Sequence, residues 1–194
     1  MAILTFPAII PTRVTWGLKS ITESFTSPIN GTTQTNGRPG ARWKVTLEFE
    51  NIEPAQSAAL DGWLAGMDGM TNRTNLYPHH RPGTGLNANV NGAGQVGTVL
   101  NLSGVAANRV FNAGDYFSVN GEFKMVTQTV QATSGGLVAL PFSPMLRASP
   151  TSGSSVVFTQ PTALMMLAQD EYGITSKGGP YCETITVSLI EAFQ

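Results

Sequence analysis

His79 and His80 are the only two histidines in this 194-residue sequence, so they are its only ready general bases or imidazole metal ligands. Adjacent side chains point apart on a strand and diverge by about 100° on a helix, so the two rings cannot meet at one metal ion. Pro78 and Pro82 bracket the pair in an expected loop, and no H-x-x-x-H spacing accompanies it. A solvated or interface pair is the favoured reading. Cys182 is the single cysteine, which excludes an internal disulfide or a thiolate cage; it reads as a small buried apolar residue.

Gly92-Ala93-Gly94-Gln95-Val96-Gly97 carries the letters of G-x-G-x-x-G, with Asp115 near the distance of a ribose-binding acid. That fingerprint receives a pyrophosphate only between a strand and a helix N-terminus. Here an Asn-rich stretch read as loop precedes it, and Thr98-Val99-Leu100 follows with strand character. Serines abound, but no G-x-S-x-G elbow occurs. A glycosidase needs only paired carboxylates, which Glu48, Glu50, Asp61, Asp68, Asp115, Glu122, Asp170 and Glu171 could supply. Glu48 and Glu50 share the polar face of one alternating segment, as they would on any solvated strand. No catalytic, cofactor-binding or metal-ligating residue is assigned, and no cofactor is expected.

The elements that would hold such residues are mostly strands. From Arg42 to Glu50 apolar Trp43, Val45, Leu47 and Phe49 alternate with polar residues, the period of a half-buried strand. Ile21–Ser27 and Thr32–Thr35 flank Pro28-Ile29-Asn30-Gly31, a turn signal that predicts a hairpin leading into it. Glu53-Pro54 opens a helix over 54–67, with Leu60, Trp63, Leu64 and Met67 on one face. Ile185, Val187 and Leu189 share a face of a last strand over Glu183–Ile190. The fold expected is mainly β: a β-sandwich with one packed α-helix in residues 1–82, completed by C-terminal strands in 161–194.

Between them, residues 83–160 read as an inserted small β-barrel, with strands at Gly97–Leu102, Tyr116–Val126, Gly136–Leu140 and Ser155–Phe158. Asn120-Gly121 divides Tyr116–Val126 into a hairpin. A two-residue loop would place Phe117 opposite Lys124 and Val119 opposite Glu122, which separates the apolar side chains onto two faces. We therefore expect a three-residue loop with a glycine bulge that pairs Phe117 with Phe123.

Only 12% of the residues are charged, against roughly 25% in a typical soluble domain. A weakly charged surface rich in Thr, Ser, Asn, Gln and Gly is either solvated or covered by other subunits without stranding charges. A formal charge of −1 with 11 dispersed basic residues gives no cationic stripe for phosphates. No run reaches the roughly 18 apolar residues of a membrane helix, and the start lacks a basic leader, so synthesis in the cytoplasm is expected. Without a secretory route the N-x-S/T triplets at Asn30, Asn72 and Asn101 carry no weight.

Three ordered segments carry a family resemblance. They are Ser27-Pro28-Ile29-Asn30-Gly31 with Gln34-Thr35 and Arg38-Pro39-Gly40-Ala41-Arg42-Trp43; Ala113–Glu122 followed by Met125-Val126-Thr127; and Pro144-Met145-Leu146-Arg147 leading to Val156-Val157-Phe158 and Pro161. Across about two thirds of the chain, the sequence resembles distal tail proteins of long-tailed (siphovirus-type) bacteriophages. The resemblance implies a tail-tube-like sandwich and a hexameric ring between the tail tube protein and the tail-tip hub protein, located at the virion's tail tip. It also implies that DNA passes the lumen only as cargo. It transfers no catalytic residues. The competing expectation is a carbohydrate- or receptor-binding module presenting Tyr116, Phe117, Tyr172 or Tyr181 to sugars, which an aromatic content of 8% weakens.

Overall fold

The computed structural model describes residues 1–83, 85, 87–171 and 184–193. Its class is mainly β, with strands β1 (Ile3–Leu4), β2 (Arg13–Thr26), β3 (Thr33–Phe49) and β4 (Arg73–Leu76) around one helix, α1 (Pro54–Met67). Strands β13 (Ala163–Leu167) and β14 (Ile185–Glu191) complete a six-stranded sheet in the order β1-β4-β13-β14-β3-β2. The alternation in β3 does what its period requires: Trp43, Val45, Leu47 and Phe49 are at most 2% exposed. In α1, Pro54 occupies the first turn and the Gln56 side chain accepts the Glu53 backbone N–H at 3.3 Å. Leu60, Trp63, Leu64 and Met67 join the same core as the β3 residues, and left-handed Asp68 ends the helix. Arg73–Leu76, which no sequence signal marks, is a strand because Thr74 and Leu76 alternate inward beside β13.

Most of the chain between β4 and β13 builds a barrel. Strands β5 (Ala88–Val90), β6 (Val99–Ser103), β8 (Tyr116–Val119), β9 (Glu122–Val126), β11 (Val138–Ser143) and β12 (Ser155–Val157) close a six-stranded barrel in the order β11-β6-β5-β12-β8-β9. A separate ribbon pairs β7 (Val110–Phe111) with β10 (Val130–Gln131). Phe111, Phe117, Leu100, Leu102, Leu140, Phe142, Val156 and Phe158 form its core. Strand β5 corrects the sequence reading of Asn-rich loop: Ala88 and Val90 point inward while Asn89 stays exposed, a period hidden by its shortness.

The two connections between sheet and barrel run side by side. The Gln160 N–H donates to the Pro82 carbonyl, and Gly83 sits at φ +99° with its missing Cβ directed at the Phe158 carbonyl oxygen. Gly83→Ala forces the two connections apart as well as straining the backbone. Thermal melts of that variant should show a loss of about 2–4 kcal/mol; an unchanged melt would mean that this crossing is not held as described.

Candidate functional site

The residues picked for possible chemistry are dispersed. His80 Nε2–H donates to the Val14 carbonyl at 3.1 Å, while the His79 ring packs on Tyr77 at 4.4 Å between centroids. Burial, then the neighbouring His80, lowers the His79 pKa, which favours a neutral ring. The Gly92–Gly97 stretch is a β5–β6 loop pinned from within, since the Gln95 amide donates to the carbonyls of Asn91, Gly92 and Asn101 and accepts the Asn101 N–H. A strand follows it, not a helix. Glu48 faces Arg13 at 3.7 Å, Asp115 accepts the Asn112 N–H, and Asp170 accepts the Met70 N–H. Among the described residues no three His, Cys, Asp or Glu side chains are grouped to hold a metal ion. No described helix is long and apolar enough to cross a membrane. Cys182, Tyr172, Tyr181, Glu183 and the stretch 172–177 lie outside the described residues.

The Asn120-Gly121 hairpin departs from expectation, and the departure builds the most charged feature of the interior. Its loop has two residues, both left-handed (φ 50° and 72°), with Val119 opposite Glu122 and Phe117 opposite Lys124. The parity argument failed because it assumed one solvated face. Both faces are covered: Phe117, Val119 and Val126 belong to the barrel core, whereas Phe123, with Tyr116 and Met125 packed beside it, belongs to the sheet's core.

Lys124 and Glu122 thereby point into the protein, where their side chains are 0% and 6% exposed and 2.7 Å apart. Lys124 also donates to the Met145 carbonyl at 2.8 Å. Glu122 accepts the backbone N–H groups of Arg147 and Ala148. Arg147 then reaches Glu191 on β14 at 3.0 Å, and the other Glu191 oxygen accepts the Trp43 N–H at 3.1 Å. Burial alone would raise the Glu122 carboxyl, but the Lys124 hydrogen bond, the two backbone donors and the Lys124 charge hold it below the ordinary value. Burial lowers the Lys124 ammonium, with Glu122 opposing. The chain of charges runs from the barrel to β14 of the sheet. Sequence reasoning missed Lys124, Arg147 and Glu191 as partners. The signal available was the Asn-Gly turn itself, which at face value places two charges opposite apolar residues.

Two of the aromatics offered for sugar binding, Tyr116 and Phe117, lie among the described residues, and both are engaged by other side chains. Tyr116 stacks on Phe123 at 5.1 Å and packs near Trp16 and Trp43, and Phe117 is fully buried.

The uncovered feature is the β2–β3 hairpin. β14 pairs β3 only along Lys44–Phe49, whereas the β2–β3 ladder continues to Thr26↔Thr33. Between Lys19↔Arg42 and Ile21↔Arg38 the register skips: Ser20 on β2 faces Pro39-Gly40-Ala41 on β3, a bulge with Gly40 at φ +115°. Beyond it the strands form a two-stranded arm, and every residue of 19–26 and 28–39 is exposed. One face carries Thr22, Ser24, Thr26, Thr33 and Thr35; the other carries Ile21, Glu23, Phe25, Gln34 and Arg38, with a Glu23–Arg38 ion pair at 2.7 Å.

No protein-family model matches the chain, and none of the curated proteins matches it.

Proposed function

We propose that this chain is a structural ring subunit of the tail tip of a long-tailed bacteriophage, joining the tail tube to the tail-tip hub, with DNA passing through the ring as cargo. In this reading the sheet and α1 form the tail-tube-like sandwich, the barrel is its decoration, and the working parts are surfaces, with no catalytic step. The observation that carries it is the arm. A two-stranded hairpin is at best marginally stable in water by itself. An unpaired edge as long as β2 is also a template for pairing with another chain unless it is covered. The arm carries little charge, so a neighbouring subunit can cover it without stranding many ions. The low charge content of the whole chain and the family resemblance point the same way. The carbohydrate reading is less well supported, because Phe117 is buried and the half-buried Tyr116 is stacked on Phe123.

Light scattering after gel filtration tests the proposal. The mass expected, for the chain alone or mixed with its tube partner, is about six times 20.5 kDa. Excision of residues 22–35 with a short glycine turn in their place should leave the barrel folded and return the mass to that of the single chain. A chain that remains single with both tube and hub partners, while binding glycans, would overturn the ring reading in favour of the module.

A further inference from the structure

Twelve large apolar side chains stand out as exposed among the described residues, and half of them fall in two places. Ile21, Phe25 and Ile29 lie on the hairpin arm, with Ile29 at its turn 94% exposed. Ile3 and Ile10 line a groove of about 640 Å³ formed by the segment 3–10 against Leu76, Tyr77 and His79, and Met1 lies two residues before Ile3 in the chain. No Asp, Glu, Lys or Arg lines that groove. The arm's end, Phe25–Thr33, is likewise free of charge.

The two surfaces lie far apart within one chain. The groove sits at the root of β2, because the segment 3–10 leads into that strand and His80 beside it binds Val14. Phe25 lies eleven residues further along β2 than Val14, roughly 35 Å at the rise of a strand. Extended along the β2–β3 ladder, the hairpin carries its tip away from its own groove and offers it to another molecule. A contact that joins the tip of one copy to the root of the next is heterologous, and such contacts close into rings when the rotation permits.

We infer that the arm tip, through Phe25 and Ile29, seats in the groove between Ile3, Ile10 and Tyr77 of a second copy of this chain. This rests on the ring-subunit reading and deepens it by naming the two surfaces that meet. Matching neutrality selects the pairing: an uncharged apolar tip in an uncharged apolar groove leaves no ion desolvated and unpaired.

Ile29→Asp and Ile10→Asp place a charge on each surface at positions 94% and 80% exposed, so neither should disturb the folded chain. Each should weaken self-association by at least about 30-fold in sedimentation or light scattering. Mixing full-length Ile29→Cys with full-length Ile10→Cys under mild oxidation should give a cross-linked pair, whereas Val96→Cys with Ile10→Cys should not. If both aspartate variants assemble like the parent and the cysteine mixture yields no pair, while the parent exceeds 20.5 kDa, the tip-to-groove contact is wrong and the ring reading stands. If the parent stays single both alone and with tube and hub partners, both fall.

Discussion

Glu122→Gln should lower stability by about 3–5 kcal/mol at neutral pH, because it leaves the Lys124 ammonium buried without its counter-charge. For a chain of this size that corresponds to a melting temperature lower by roughly 10 °C. The substitution keeps the side-chain shape and one oxygen to accept a backbone N–H, so the loss reports charge and not volume. The pH dependence follows from the directions of the two shifts. The Glu122 carboxyl in the folded chain sits below its unfolded value, about 4.3. Its contribution is therefore complete above that value and lost as pH falls through the folded one, so the gap between parent and variant narrows in acid. Burial already lowers the Lys124 pKa, and removal of Glu122 takes away the main group that opposes it, leaving only the weaker pull of Glu191. The unfolded variant then binds more protons than the folded one, so its stability rises as pH is raised from 7 towards the ordinary lysine range. Urea titrations across this span check both limbs. A variant as stable as the parent at pH 7 would mean that Lys124 is not held as an ammonium by Glu122. Adding Lys124→Met to Glu122→Gln should restore most of the loss, since no buried charge then remains without a partner.

Trp43→Ala should cost about 3–5 kcal/mol and loosen the barrel from the sheet. The ring is 2% exposed and packs edge-on against Phe123 at 5.5 Å and Tyr116 at 5.8 Å, both on the barrel hairpin. Its indole N–H donates to the Phe123 carbonyl at 2.9 Å, so one side chain of β3 both fills the junction and bonds across it. Trp43→Phe keeps most of the packing and removes the donor, and should cost about 1–2 kcal/mol. Hydrogen exchange would locate the effect: faster exchange along β8 and β9 than along β6 and β11 is the expected pattern. Uniform exchange with a loss below about 1 kcal/mol would show that the junction is held elsewhere, with the Arg147–Glu191 pair the next candidate.

Much of the fold was legible where the local signal and the global environment agree. The Arg42–Glu50 alternation and the Leu60, Trp63, Leu64, Met67 stripe each announce a face, and each face is the one buried; the Pro28–Gly31 signal announces a turn, and the β2–β3 hairpin turns there. The barrel was legible as a texture of short runs and turns, although its strands shift by up to three residues from their expected limits. Strands β1, β4, β5, β7 and β10 were not legible, because two to four residues are too few to display a period.

Sequence by itself determined which side chains seek the interior, where the chain turns and that few charges are available to dress the surface. Those are properties of neighbours along the chain, set by hydrophobicity, backbone preference and composition. Tertiary structure decided the rest. It put Lys124 and Glu122 inside by covering both faces of one hairpin, it brought Arg147 and Glu191 to them from distant strands, and it left the outer half of β2–β3 without a third strand. The physical reason is that burial of a given strand face depends on what docks against it, and no residue carries that information in its own neighbourhood.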